Sequence, residues 1–292
     1  MKKTAIISET LRTLITPLVA VGSIINCLPS YASTFTSTSQ IDLAIYNFNQ
    51  FPLGVGVIND VEAIAVAEEG FAENQIDRET IFFAEDTTVF AEGSWETISF
   101  GTGPQYFVET NLSSIFLGTF PITAGNFFEF RTEGSLYLEN FVDTWPVGNS
   151  SSFGGMSLYV FDRLSGNSWP VVDMISIVNT NPDPRFNRDF FRTEMGSNFN
   201  LMDYQEEIIL EQGDQESTRV EFTGVFQQFF EEETELNLVA VVESCTAGAN
   251  EIGVCRKIPE PSNRLALLLL LCCGGMGAYF SRIMKQIIQF IK

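Results

Sequence analysis

Alternation of apolar and polar side chains with a period of two is the dominant pattern along this chain. It is clearest in residues 126–141, where apolar side chains hold even positions and charged ones hold odd positions. The apolar set is Phe128, Phe130, Leu136 and Leu138, and the charged set is Glu129, Arg131, Glu133 and Glu139. Successive side chains of a strand point to opposite faces, so the pattern predicts a half-buried strand. The same period in residues 217–230 and 236–242 predicts a hairpin that closes the domain.

Shorter segments of the same type follow one another at nearly regular spacing. Further strands are predicted at 41–48, 81–90, 95–100, 106–108, 156–164 and 171–178. Loops are predicted at 51–54 and 101–104, and residues 185–215 are expected to be irregular. Residues 55–75 fit a helix as well as a strand, and the Val-rich alternation on both sides favours strands. Short strands with few helix signals indicate an all-β fold, an antiparallel β-sandwich of jelly-roll-like type.

The beginning of the chain carries an apolar segment of a different kind. Three bases within the first 12 residues precede the mostly apolar stretch 14–28, and Ser30 and Ala32 supply small residues before Ser33. That three-part order is typical of a secretory signal peptide, so residues 1–32 are excluded from the fold. Lipoprotein processing at Cys27 is the alternative, but the residue before Cys27 is not small.

The end of the chain combines a stiff spacer, an apolar segment and bases. The tripeptide Pro259-Glu260-Pro261 favours extended backbone because each proline fixes its own φ and restricts the residue before it. Residues 265–280 are apolar or small, somewhat short of the ~20 that usually cross a bilayer. We predict a transmembrane helix there, within a C-terminal unit of residues 258–292 that follows a secreted domain of residues 33–257. The closing bases are Arg282, Lys285 and Lys292.

This arrangement resembles the PEP-CTERM sorting signal of exported Gram-negative and cyanobacterial proteins. The matching parts are Pro259-Glu260-Pro261-Ser262, the Leu-rich run from Leu265, and the bases. The resemblance implies an exosortase-like enzyme that recognises the tripeptide, cuts near it, and leaves the domain at the cell surface or in extracellular polysaccharide. Arg264 and the apolar tail after Phe280 depart from the usual form, and a plain membrane anchor is the alternative. The domain also loosely looks like the Phe-rich β-domains of cyanobacterial members.

Charge and cysteine content narrow the class of protein further. Between the two terminal signals, residues 33–258 hold 9 bases and 35 acids, a formal net charge of −26. Such a surface repels nucleic acid, so no nucleic-acid partner is expected. Cys245 and Cys255 enclose a short glycine-containing loop, and in an exported chain a disulfide is the first interpretation. Two free thiols are the alternative.

The candidate chemistry of the domain is limited. With no histidine in the chain, His-dependent triads and imidazole metal sites are excluded. A glycosidase-type carboxylate pair is conceivable, but Glu129 with Glu133 is better interpreted as a solvated strand face. Calcium on loop carboxylates is the cofactor considered, and the sequence names no specific spacing for it. The carboxylates in question are Asp183, Asp189 and Asp203.

Aromatic and basic residues supply the remaining candidates. Trp95, Trp145 and Trp169 could present a sugar-stacking surface, with Trp145 and Trp169 the more interesting pair because each stands where a strand gives way to a loop. The alternative is that each packs in the core or at its rim. A basic group formed by Arg185, Arg188 and Arg192 could meet an anionic sugar or neutralise acids of the same protein.

The sequence therefore predicts an exported, non-catalytic protein of the cell surface or extracellular matrix with a structural or adhesive role. The alternative is a carbohydrate-binding module for extracellular polysaccharide, built on Trp145 and Trp169. Predicted partners are the exosortase-like enzyme, the membrane through the C-terminal helix, and extracellular polysaccharide.

Overall fold

A computed structural model describes residues 34–85, 87–143, 149–180, 189–209, 215–249 and Cys255. Every regular element in this part of the chain is a β-strand, so the prediction of an all-β fold is confirmed. The strands are β1 (Thr34–Tyr46), β2 (Gly54–Glu85), β3 (Thr88–Ile122), β4 (Asn126–Val142), β5 (Asn149–Asp162), β6 (Ser168–Thr180), β7 (Phe190–Met195), β8 (Phe199–Ile209), β9 (Gln215–Phe230) and β10 (Thr234–Ala249).

The ten strands form one antiparallel sheet in the order β7-β6-β5-β10-β3-β1-β4-β9-β8, with β2 paired to β3 outside this path. β7 and β8, at the two ends of the order, are consecutive in the chain and are joined by residues 196–198. The sheet is therefore nearly closed, and its two halves pack face to face as in a β-sandwich.

Strand β4 shows why the alternating sequence produces this fold. Its even-numbered apolar side chains, Phe128, Phe130, Leu136 and Leu138, are all 0% exposed. β4 pairs with β1 on one side and β9 on the other, so both of its backbone edges are bonded and only its charged face meets water. Each buried side chain of this size contributes roughly 1.5–3 kcal/mol by leaving water.

Aromatic rings fill one end of the interior. Phe48 lies in the segment after β1, and its ring centroid is 5.0 Å from that of Phe120 and 5.4 Å from that of Phe130. Phe130 in turn stacks on Phe226 at 5.1 Å. These rings come from four separate parts of the chain, so they join β3, β4 and β9 to the segment that follows β1.

Hydroxyl and amide side chains link the two halves at other positions of the interior. Ser37 Oγ of β1 donates to the carbonyl oxygen of Ser151 on β5 at 2.8 Å. Asn140 Nδ2 of β4 donates to the carbonyl oxygen of Val178 on β6 at 2.6 Å. Because buried polar groups are costly without partners, these bonds let small polar residues replace apolar ones where the strands face each other.

The long hairpin of β2 and β3 passes from one half of the sheet to the other. On the side of β3 away from β2, its earlier residues pair with β1 and its later residues pair with β10. The bend lies where Gly70 and Gly103 meet, with φ of +120° and +123°. A Cβ on Gly70 would lie 2.0 Å from the carbonyl oxygen of Thr102, so the bend requires glycine there. The bend brings the part of β2 before Gly70 against the part after it, since Asn59 Nδ2 donates to Thr80 Oγ1 at 3.0 Å.

Three local predictions were wrong. Residues 101–104 were predicted as a loop but belong to the continuous strand β3. Gly70 and Gly103 bend the backbone there without ending the pairing of β2 with β3. Residues 81–90 were predicted as one strand, but they contain the end of β2 and the start of β3, on either side of a turn. Within 185–215, the segments β7 and β8 are strands, because each finds a partner, β6 or β9, far away in the sequence.

Candidate functional site

The predicted disulfide is present. Cys245 on β10 and Cys255 lie at bonding distance, with their Cα atoms 6.0 Å apart. Both side chains are buried and pack with Phe153, Ile175 and Ala247. The link fixes the chain after β10 against β5, since Cys255 Sγ also lies 3.7 Å from the carbonyl oxygen of Ser151.

The tryptophans do not form a shared surface among the described residues. Trp95 is fully buried, and its Nε1 donates to Ser114 Oγ at 2.7 Å. Trp169, near the start of β6, is half-buried and packs edge-on against Phe230, with ring centroids 5.5 Å apart. Trp145 lies outside the described residues, as do the tripeptide Pro259-Glu260-Pro261 and the predicted helix at 265–280.

Of the predicted basic group, Arg192 on β7 is described, and it lies in an ion pair. Its Nη2 is 2.8 Å from Asp173 Oδ2, and Asp173 also accepts a hydrogen bond from Ser157 Oγ at 2.6 Å. The Arg192 guanidinium thus pairs with a carboxylate of the neighbouring strand β6, as expected if this group neutralises acids of the same protein. Arg185 and Arg188 lie outside the described residues.

Two of the carboxylates considered for calcium are described, Asp189 just before β7 and Asp203 on β8. Asp189 Oδ1 accepts the backbone N–H of Asn179 at 2.8 Å, and burial raises the pKa of this carboxyl. Asp203 is exposed on β8, and Asp183 lies outside the described residues. Within the described ranges there is no group of three or more His, Cys, Asp or Glu side chains arranged to hold a metal ion.

Acidic residues instead gather on the outer face of β1, β2 and β3. Asp42 accepts hydrogen bonds from Ser94 Oγ at 2.6 Å and from Ser135 Oγ at 2.9 Å. Burial, followed by the charges of Asp77 and Asp42, raises the pKa of the Glu96 carboxyl. The hydroxyls hold Asp42 in place, so this face presents fixed negative charge and repels anions.

The most unusual surface is the first part of β2. β2 pairs with β3 alone among the described strands, so its other edge is open along its length. We call residues 54–67 the edge segment and residues 71–85 the charged segment. The edge segment exposes apolar side chains on both faces: Val55 36%, Val61 37%, Ile64 54% and Val66 54%. An open strand edge presents backbone donors and acceptors that another strand can pair with.

Sequence reasoning missed the edge segment as a site. The Val-rich alternation on both sides of it favoured a strand, but alternation does not reveal whether a strand has one neighbour or two. The available signal was Gly54 and Gly56 within a run of Val and Ile, since glycine in a strand often marks close approach by another backbone.

Comparison with known proteins finds no matching family, no matching curated protein and no matching solved structure. The described part of the chain contains no helix of the length and apolar character needed to span a bilayer.

Proposed function

We propose that this chain is an exported, non-catalytic protein of the cell surface or extracellular matrix with a structural or adhesive role, delivered by its C-terminal PEP signal. The observation that carries the exported part is the Cys245–Cys255 disulfide. Disulfides persist in oxidising compartments outside the cytosol and are rare within it. A jelly-roll-like arrangement and a transmembrane helix at residues 265–280 are further parts of the proposal.

The surface of the domain supports a structural role. Asp42, Asp77 and Glu96 lie close together on the outer face of β1, β2 and β3, which therefore carries several acidic side chains. Such charge keeps an extracellular domain soluble and attracts cations. The open edge of β2 offers a place for another chain to pair, which is what a component of a matrix requires.

The intact mass of the mature chain tests the delivery part of the proposal. We expect protein from the membrane and medium fractions of the native cells to begin near Ser33 and to include a form that lacks residues 263–292. Mass that contains residues 263–292 in every fraction would reject the sorting signal and leave a plain anchor.

A variant pair makes this test specific to the tripeptide. Replacing Pro259, Glu260 and Pro261 by alanine is expected to abolish the shortened form. The chain offers a matched control in Pro182-Asp183-Pro184, whose replacement by alanine should leave processing unchanged. Equal loss of processing in both variants would mean that export or folding failed, and the tripeptide would have no special role.

Binding to polysaccharide is tested separately, with a glycan array probed by the mature protein. The structural proposal expects Trp169→Ala to leave any glycan signal unchanged, because that ring packs against Phe230. Selective loss of a strong signal in Trp169→Ala would favour the carbohydrate-binding alternative.

A further inference from the structure

The two glycines of the edge segment are not required by close contacts within the described part of the chain. Neither Gly54 nor Gly56 has a positive φ, and a Cβ added to either would meet no atom within 4 Å. Other glycines, such as Gly70 and Gly103, have positive φ and contact backbone atoms closely. Glycine lowers the stability of a strand interior, so Gly56, which lies inside β2 at an open position, indicates that another backbone approaches there.

The distribution of charged residues along the open edges points to the same part of β2. The charged segment carries four ionised side chains between residues 73 and 79: Glu73, Asp77, Arg78 and Glu79. β8, whose neighbour is β9, carries Asp203, Glu206 and Glu207. Charges on edge strands hinder pairing with other chains. The edge segment has only Asp60 and Glu62 among its 14 residues, so it is the part of the open edge that is least protected.

We propose that the edge segment pairs with the same segment of a second copy of this chain, antiparallel about a two-fold axis at Asn59. This axis places small residues opposite large ones and acidic residues opposite residues without charge. The outer-face pairs are Gly54 with Ile64, Gly56 with Glu62, and Ile58 with Asp60 of the other copy. The inner-face pairs are Val55 with Ala63 and Val57 with Val61.

Positions of the axis on the C-terminal side of Asn59 are disfavoured by charge. An axis at Asp60 would set Asp60 opposite itself, and an axis at Val61 would set Asp60 opposite Glu62. Like charges directly opposite each other destabilise a strand pair. The axis at Asn59 joins residues 54–64 of both copies, roughly 35 Å of paired edge at ~3.3 Å per residue.

Asn59 also holds this part of β2 in position for pairing. Its Oδ1 accepts a hydrogen bond from Ser114 Oγ at 2.6 Å, and its Nδ2 donates to Thr80 Oγ1 at 3.0 Å. The backbone at the axis is thus fixed to β3 and to the charged segment before a second copy arrives. A strand fixed in this way loses less conformational entropy on pairing.

The net charge of −21 sets the expected response to salt. Two copies of one acidic chain repel each other at long range, and screening removes that repulsion. Self-association through the edge segment should therefore strengthen with salt. Pairing of the same edge with a basic polypeptide would weaken with salt, so the sign of the dependence distinguishes the two occupants.

Sedimentation velocity of the full-length chain tests the proposal. The range runs from about 0.01 M to about 1 M salt, over which the screening length falls from about 30 Å to about 3 Å. We expect a monomer–dimer equilibrium that shifts toward dimer as salt rises. A chain that is monomeric at every salt concentration, or whose dimer weakens with salt, would overturn the proposal, whether or not the chain is exported.

A pair of substitutions at one position tests the register. Ile58→Asp sets a carboxylate opposite Asp60 twice in each dimer and should weaken association by roughly tenfold or more. Ile58→Lys sets an ammonium group opposite the same carboxylates, so dimers should persist, and the local attraction should make the strengthening by salt smaller than in the unchanged chain.

The control is Ile81→Asp, at an exposed position of the charged segment, which should associate as the unchanged chain does. Circular dichroism melts establish that all three variants are folded. Equal weakening by Ile58→Asp and Ile58→Lys, or weakening by Ile81→Asp, would overturn the proposed axis.

Discussion

Strands β4 and β2 are both rich in apolar residues and have opposite positions in the sheet. β4 has a strand on each side, and its apolar face is completely buried. β2 has β3 on one side only, and Ile64 and Val66 are each 54% exposed. Apolar side chains thus form the core in one strand and part of the surface in the other.

This difference means that folding stability and self-association should depend on different parts of the sheet. Burial of large side chains is the main stabilising contribution, and it is concentrated where β4 contacts β1, β9 and the facing strands. Substitutions at the centre of the sheet should therefore change the free energy of unfolding, whereas substitutions in the edge segment should change self-association. Four measurements, from the largest expected effect to the smallest, test this separation.

The largest effect is expected at the centre of β4. Phe128→Ala removes a ring that is 0% exposed and lies 4.9 Å from the Phe120 ring centroid. Unfolding by urea should show a loss of about 3–5 kcal/mol. Phe127→Ala is the matched control, because Phe127 is 47% exposed on the opposite face of the same strand. Similar losses in the two variants would contradict the contrast between the faces.

The disulfide should give the next largest effect. Replacing Cys245 and Cys255 together by alanine removes the link between β10 and the chain that follows it. The expected loss is about 2–3 kcal/mol, mainly because the unfolded chain gains freedom. Reducing agent should then no longer affect the urea midpoint, and the dimerisation constant should be unchanged. A variant that unfolds at the same urea concentration as the parent would show that the link contributes nothing.

Asp162, at the turn between β5 and β6, should show a dependence on pH. Burial alone would raise its pKa, but hydrogen bonds from Thr234, Ser165 and Leu164 outweigh burial and hold the pKa below its ordinary value of 3.8. Because the folded pKa is the lower one, the stabilisation is present above pH 3.8 and is lost as pH falls through the folded value.

Asp162→Asn should therefore lower the free energy of unfolding by about 1–3 kcal/mol at neutral pH. The gap between the variant and the parent should close in acid. Urea titrations across a pH series measure this gap, and a gap that stays constant down to pH ~2 would contradict the assigned direction of the shift.

The smallest effect on stability is expected in the edge segment. Ile64→Thr keeps a branched side chain at an exposed position, so the free energy of unfolding of the monomer should change by less than about 0.5 kcal/mol. Measurement at low salt and low protein concentration isolates the monomer. A loss as large as that of Phe128→Ala would mean that the edge segment belongs to the core.

Local alternation was sufficient to predict part of this fold. The buried face of β4 follows from the period of two, as does the inward direction of Val220, Phe222 and Phe226 on β9. The Cys245–Cys255 pair followed from the content and spacing of cysteines. Each of these features depends on residues that are close together in the sequence.

Features set by distant partners could not be predicted in this way. Gly101–Pro104 has the composition of a loop, and only the facing Gly70 shows that the segment is a bend within a strand. For Trp169 the sequence left both a sugar-stacking surface and packing at the rim of the core open, and the structure places Phe230 against the ring. The openness of β2 depends on which strands flank β3, a property of the whole sheet.

Hydrogen–deuterium exchange along β2, measured with the full-length chain at low and high protein concentration in high salt, most directly tests the claim that the sheet is left open for a second copy. We expect amides of residues 54–64 to gain protection at high concentration, while those of residues 71–85 and of β8 do not. Equal exchange of residues 54–64 at both concentrations, or a gain confined to β8, would contradict this expectation.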